Sequence, residues 1–361
     1  RRLGDDFRRR PVGTGAYIFD KWEPGQFIRI RRNPDYAWAP TVVANRGPAQ
    51  VEVITFLFLP AGADRTAALK AGQADGIFYV SPSDVAGLRA DSAFTISTFP
   101  IRGAPVCLMM NMAKSPTDDP AVRRAIKHAI NQEAIVREVF CGEFPHARGP
   151  LSHFTLGYNS AVEKVYPPDP VKARAILDEA GWRIPAGGGA RQKGGQTAQV
   201  IFYALPVNFY PEFGQRVRQQ LGAVGIDVDV RILPPPEWIR GANAGEHNLV
   251  PQGKYASGPQ ILSFIYHSRA SAGAYGWTKR PATFAPELDR LIDQSEQALA
   301  PRDYVPLFER AQQIIMEQAL IVPLQCNTNI VALRREITGL AFDAIGAYPL
   351  FHDVRIEGGA R

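Results

Sequence analysis

The residues that first suggest chemistry lie near the start of the chain, in "PVGTGAYIFD" at positions 11–20, where Gly13, Thr14 and Gly15 look like the opening of a phosphate-cradling loop. A dinucleotide fingerprint needs a helix directly after the glycines and a third small residue at position 18. Position 18 is Ile18, and the residues after it read as a strand. Nucleotide binding is therefore set aside, and Gly13 and Gly15 are expected to permit a sharp entry into a hairpin.

Other catalytic arrangements are missing. There is no GxSxG elbow, no GxxxxGK[ST] loop and no HExxH pair. The histidines, His128, His146, His153, His247, His267 and His352, include no pair at the i, i+4 spacing of a helical metal site. His146 and His153 share the loop "PHARGPLSH", which offers a place for a metal or metal chelate; surface histidines are the plainer reading. Asp118–Asp119 falls at a helix start and Asp227 with Asp229 on a strand face, where capping and solvation explain them. Neither an enzyme nor a cofactor is expected. Cys107, Cys141 and Cys326 have no CxxC spacing. Cys107 and Cys326 fall in predicted strands and read as small buried hydrophobes, a bridge between them being the alternative in an oxidising compartment.

With 361 residues the chain is long enough for two domains, and its 45% hydrophobic and 21% charged residues suit a globular protein. The net charge of +6 has one dense cluster, Arg1, Arg2, Arg8, Arg9 and Arg10. No aromatic residues alternate with these arginines as a stacking platform requires, so nucleic acid is not an expected partner. No stretch approaches the roughly 18 apolar residues of a membrane span. The sequence carries no initiator Met and no leader, so a secretory signal is either absent or lies upstream.

Local patterning supplies the elements that would position a site. "AYIFDKW", the Pro-Gly turn "EPGQ" and "FIRIRR" predict a hairpin. "VEVITFLF" reads as a buried strand at 51–58, followed by a helix that Asp64 caps and Gly72 ends, and a strand from Ile77 to Val80. After a strand at 105–112 come two helices, with Val122, Ala125, Ile126, Ala129 and Ile130 on one face of the first and Asn131 capping the second. "DPVKARAILDEAGW" predicts a helix with Asp169 as cap, Pro170 at its first position and Gly181 past its end. A strand, a helix with Phe213, Val217 and Leu221 inward, and the alternating "IDVDVRI" repeat the α/β order. Helices at 286–299 and 301–318 precede the extended "LIVPLQCNTNIVALRR". No repeat is visible at periods of about 20 to 50 residues.

Six segments, "PVGTGAYIFDKWEPGQFIRIRRNPDY", "ALKAGQADG", "DPAVRRAIKHAINQEAIV", "DPVKARAILDEAGW", "VRQQLGAVGIDVDV" and "AQQIIMEQALIVPLQCNTNIVAL", occur in an order and spacing similar to the extracellular solute-binding proteins of family 5, the peptide/nickel receptors of ABC importers. The resemblance runs from residue 11 to residue 357. It implies an α/β, periplasmic-binding-protein-like (type II) fold: two α/β lobes joined by a two-crossing hinge with an interlobe cleft. Residues 1–102 would form lobe I, 103–326 lobe II, and 327–361 the return to lobe I, with crossings near "RGAPVCLMMNM" and "PLQCNTN". In this family the hairpin comes well inside the mature protein, so the chain is expected to be N-terminally truncated and lobe I incomplete.

The implied function is the substrate-binding component of an importer, a periplasmic monomer that closes on an oligopeptide-like or other small polar solute and delivers it to permease subunits in the inner membrane. A receptor for chelated nickel is the alternative, and a hydrolase on an α/β scaffold ranks third. Peptide-binding members carry an Asp for the peptide ammonium in a Tyr-x-x-Asp-Pro context. The matching stretch here is "GKYASGPQILSFIYHS", with Gly258 before Pro259 and Ser257 beside it. A buried ammonium without a carboxylate is costly, which lowers the peptide reading. Lys254 would favour an anionic group, a surface Lys being the plainer reading. Tyr255, Tyr17, the loop Asn208-Phe209-Tyr210, Gln325 and Asn327 complete the expected ligand wall.

Overall fold

The computed structural model describes residues 4–41, 43–206, 209–271 and 277–358. Contacts divide the chain into two compact units, one of Arg1–Phe99 with Asn329–Arg361 and one of Pro100–Thr328.

The first unit opens with the expected hairpin of β1 (Tyr17–Glu23) and β2 (Phe27–Arg32), turning at Gly25 with φ 76°. Asp20 on β1 binds Arg29 at 2.5 Å and Arg31 at 2.6 Å. Those two bonds hold its carboxyl below the usual carboxylate range. Strand β3 (Val53–Leu57) adds to β2, and α1 (Gly62–Lys70), β4 (Gly76–Phe78), α2 (Pro82–Ala90) and β5 (Phe94–Pro100) follow.

Three local expectations are corrected here. Neither Gly13 nor Gly15 has a positive φ, and a Cβ would find open space at Gly13 and ordinary contact at Gly15, so the hairpin entry does not need them. The first helix begins after Ala61 with no side-chain cap; Asp64 sits within its first turn, where it faces the helix dipole. The strand expected to be buried is an exposed one, with Val53 at 46% and Leu57 at 45% relative exposure.

The second unit contains β6 (Gly103–Met110), buried along its whole length, then α3 (Pro120–Ala129), α4 (Gln132–Phe140) and α5 (Pro170–Glu179). Each helix is capped as the sequence predicts. Asp119 accepts from Ala121 N at 2.8 Å, Asn131 from Ala134 N at 2.9 Å and Asp169 from Lys172 N at 2.9 Å. A small hairpin of β7 (Gln192–Lys193) and β8 (Gln196–Thr197) leads to β9 (Gln199–Ala204), α6 (Tyr210–Gly222), β10 (Asp227–Ile232), α7 (Pro235–Ala244) and β11 (Leu249–Tyr255). Then come α8 (Ile261–Tyr266), α9 (Ser268–Ser271), α10 (Pro286–Gln297), α11 (Pro301–Glu317), β12 (Ile321–Gln325) and β13 (Thr328–Arg334), the last returning to the first unit.

The larger sheets are β1-β2-β3 and β4-β13-β5 in the first unit and β10-β9-β11-β6-β12 in the second. Strand β9 is parallel to β10 and β11, while β6 is antiparallel to both β11 and β12. Four of the five strands therefore point the same way. Alternation along β6 feeds two cores. Val106, Leu108 and Met110 pack with α3 to α6, and Cys107 and Met109 pack with α7, α8, α10 and α11. All three cysteines are free, Cys107 and Cys326 buried and Cys141 exposed. No helix among the described residues is long and apolar enough to cross a membrane.

The least ordinary core group is Lys127 on α3. Its Nζ donates to the Met316 carbonyl at 3.3 Å and lies 4.4 Å from the Tyr166 ring centroid. Burial pushes the ammonium down to about 7. Between that value and the 10.5 of a solvated lysine the unfolded chain binds more protons, so this group makes stability rise with pH across that window and leaves it flat below. Lys127→Met should stabilise the protein at pH 7 by about 1–4 kcal/mol and flatten the slope between pH 7 and 10, both measurable by urea denaturation.

Candidate functional site

The carboxyl ends of β9, β10, β11 and β12 and the start of β6 all fall on one edge of the second unit's sheet. Loops at such an edge are where α/β sheets bind ligands, because the strands fix the loops while side chains beyond them stay free.

Strand β6 begins at Gly103 with φ 115°. A Cβ there would lie 2.5 Å from Ala256 N and closer still to the Lys254 carbonyl oxygen. The backbone of the 254–256 loop thus rests on a residue without a side chain. Next to it, Arg102 O accepts from Ala256 N at 3.1 Å, Gly103 O from Ser152 N at 2.8 Å, and Gly103 N donates to Thr155 Oγ1 at 2.8 Å. Segment 145–147 is stitched to β12 by Ala147 N to Leu324 O at 2.9 Å and Cys326 N to Pro145 O at 2.8 Å. The two extended segments at the unit boundary lie side by side, Ile101 N donating to Asn327 O at 2.8 Å.

The expected ligand residues of this unit gather on that edge. Lys254 and Tyr255 end β11, and Ser257 and Gly258 follow. Tyr255 is 48% exposed, and Lys254 is half-buried, which lowers its ammonium from the ordinary lysine value. Burial, with the Tyr255 phenol adding to it, pushes Tyr210 up to about 12. That residue is therefore a neutral hydrogen-bonding group at physiological pH. Phe209 precedes α6 and packs edge-on against Phe140 at 5.0 Å, which in turn stacks on Phe144 at 4.9 Å. A Cβ on Gly258 would meet only the Gln260 side chain, and its φ is ordinary, so an acid could be built there.

At the end of β12, Gln325 is 7% exposed; its Nε2 donates to Asn327 Oδ1 at 3.3 Å and its Oε1 has no partner among the described residues. Tyr17 belongs to the first unit, where its hydroxyl donates to Phe351 O at 3.4 Å and burial pushes it to about 12. Asn208 lies outside the described residues.

The two loop histidines turn to different partners. His146 Nε2 accepts from Arg148 Nε at 2.8 Å, and Arg148 binds Glu163 at 2.7 Å, where Tyr158 also donates at 2.9 Å. His153 Nδ1 lies 3.7 Å from Cys326 Sγ, with its ring 4.0 Å from that of Phe154. Desolvation lowers both imidazoles below the ordinary histidine value. Among the described residues no three His, Cys, Asp or Glu side chains converge as a metal set.

Two residues escaped the sequence reading, Gly103 on this edge and Gln252 farther into the sheet, opposite Cys107. Gly103 was readable only as one glycine among 32. Gln252 on β11 is 3% exposed with neither side-chain polar atom partnered among the described residues; an amide inside the apolar run "LVPQGKY" was the available signal.

An edge of loops and aromatic side chains on an α/β sheet defines a binding scaffold. The chain belongs to the bacterial extracellular solute-binding proteins, family 5, whose "Middle" profile matches residues 2–276. It is 26% identical over 341 residues to the probable di/tripeptide-binding protein 5 of Pseudomonas aeruginosa (strain UCBPP-PA14), covering 93% of this chain and 60% of that protein. It is 26% identical over 356 residues to the dipeptide-binding protein of Escherichia coli (strain K12), covering 96% of this chain and 62% of that protein. The chain thus spans about 60% of the length of these relatives. In fold it is similar to NikA from Brucella suis in complex with Fe(III)-EDTA, with TM-score 0.84, 22% identity and coverage of 96% of this chain and 69% of that one.

Gly103→Ala should destabilise the protein by at least about 2 kcal/mol in chemical denaturation, because both its φ and the facing backbone reject a side chain. Gly13→Ala, in open space at an ordinary φ, should change stability by less than about 0.5 kcal/mol.

Proposed function

We propose that the protein is the solute-capturing component of an ABC importer, binding an oligopeptide-like or other small polar ligand and handing it, chemically unchanged, to a membrane permease outside the cytoplasm. The observation that carries this reading is the match to family 5 over most of the chain, joined to the strand-end edge that holds Lys254, Tyr255, Ser257, Tyr210 and Gln325. The relatives named for di- and tripeptides and the dipeptide receptor support a peptide-like ligand.

In this reading Tyr255 and Tyr210 supply flat apolar faces with polar tips, which suit solutes of varied side chain. Ser257 and Gln325 offer neutral hydrogen bonds, and Lys254 meets a carboxylate or another anionic group. Ligand binding would shift the protein toward a form that the permease distinguishes from the empty one. The protein acts as a monomer and needs no cofactor.

A calorimetric and thermal-shift screen of di- and tripeptides, glutathione, N-acetylated peptides and nickel–histidine should find a ligand that raises Tm, with Tyr255→Ala weakening it about 10-fold or more. Gly258→Asp should improve affinity for peptides with a free α-ammonium relative to their N-acetylated forms by about 10-fold. A protein that responds to none of these solutes, or that converts one to a product, would refute the receptor reading.

A further inference from the structure

The second unit holds a cavity of about 610 Å³ between α3 and α5. Asp169 N donates to His128 O at 2.7 Å, joining the end of α3 to the start of α5, and Trp182 Nε1 donates to Asp119 Oδ2 at 3.0 Å, joining their other ends. The two helices therefore run antiparallel. Arg124 and His128 line the cavity from α3, and Lys172, Ile176 and Glu179 line it from α5, at the spacings of three, four and seven that mark one helical face. Tyr166 closes a third side, its hydroxyl donating to Glu317 O at 2.8 Å. Helix α3 starts beyond the last residue of β6 and Glu317 precedes β12, whereas the candidate edge lies at the start of β6 and the end of β12. The cavity shares no residue with that edge.

The polar groups on its wall are incompletely matched. His128 is 2% exposed, and its Nδ1 lies 2.8 Å from Pro167 O. A carbonyl only accepts, so Nδ1 carries the ring proton and Nε2, which has no partner among the described residues, is left as an acceptor. Burial holds the imidazole below the ordinary histidine value and so keeps the ring neutral. A buried ring with one nitrogen unmatched on the wall of a polar cavity calls for a partner. Arg124, Lys172 and Glu179 form no hydrogen bond or ion pair among the described residues, while Glu317 lies 3.6 Å from Arg310.

We propose that this cavity is a second solute site that takes a small aminoalkyl phosphate monoester, its phosphate held by Lys172, Arg124 and His128 and its ammonium by Glu179. Lys172 stands in the first turn of α5 and Glu179 ends the helix, which puts them about 10 Å apart along its axis. Two charge-assisted contacts of about 2.8 Å leave about 5 Å between the ligand's own charges, the reach of a two-carbon linker. A phosphate monoester offers three terminal oxygens to three facing groups, where a carboxylate offers two. One proton serves the contact between His128 Nε2 and a phosphate oxygen, whichever of the two holds it. An anion beside the first turn of α5 also agrees with the helix dipole, and Ile176 and Tyr166 cover the linker. The site stands independently of the receptor reading.

Calorimetric titration with O-phosphoethanolamine tests the assignment. Binding should saturate and be at least about 10-fold tighter than for inorganic phosphate or ethanolamine. Lys172→Met should weaken phosphoethanolamine and inorganic phosphate alike, by about 10-fold or more, whereas Glu179→Gln should weaken phosphoethanolamine by about 10-fold and leave inorganic phosphate within about 2-fold. Both side chains are exposed, so the fold tolerates the changes. Because His128 is buried it is followed without substitution: its Nε2 resonance should move during the titration while that of His352, in the first unit, stays in place. Glycerophosphoethanolamine, a diester with the chemistry of a lipid headgroup, should bind at least about 5-fold more weakly than the monoester. Equal affinity for the diester would assign the site to lipid headgroups and overturn the proposal. So would the absence of saturable binding, equal affinity for phosphoethanolamine, phosphate and ethanolamine, indifference to both substitutions, or loss of binding in Tyr255→Ala, which would place the solute on the candidate edge.

Discussion

The candidate edge of the second unit depends on how closely one peptide unit can be approached. Around Arg102–Gly103 three separate segments meet: the boundary strand itself, the 254–256 loop and the 152–155 turn. The anchoring bonds all engage the main chain of Arg102 or Gly103, one of them reaching the Thr155 hydroxyl, and the approach is possible only because position 103 carries no Cβ and adopts φ 115°. Directional bonds to a rigid strand set the loop's position, and the side chains of Tyr255 and Ser257 follow from it. A loop held by side-chain packing alone would place them less narrowly.

Electrostatically, the edge separates paired charge from neutral donors. Glu163 is neutralised by Arg148 and Tyr158, so it does not present an open carboxylate. Tyr210 keeps its proton. Gln252 and Gln325 keep hydrogen-bonding capacity inside a largely apolar sheet, which costs stability unless a polar partner satisfies them. Buried amides of this kind are common where a protein reserves polarity for recognition.

What the sequence revealed follows the range of the interactions involved. The hairpin and the helix caps at Asp119, Asn131 and Asp169 were readable because each is decided within about four residues. Strand β3 was misread as buried because an apolar run reveals strand propensity but not whether another element covers it. Asp64 was misread as a cap because an acidic residue in a first turn looks the same in sequence as one a position or two earlier. Within the candidate site, "GKYASGPQ" could be picked out through family resemblance, whereas Gly103 needed the fold, since its reason for being glycine lies about 150 residues away. Gln252 was visible as an oddity with no meaning until its neighbours were placed.

The three thiols differ sharply in what can reach them. Cys107 and Cys326 are sealed, and burial raises both above the ordinary thiol value, which keeps them protonated and inert. Cys141 sits in the left-handed position that closes α4 and is open to solvent. A maleimide dye offered to residues 1–361 in their folded state would therefore attach at Cys141 alone, without any mutagenesis, giving an optical reporter beside the aromatic group of Phe140, Phe144 and Phe209.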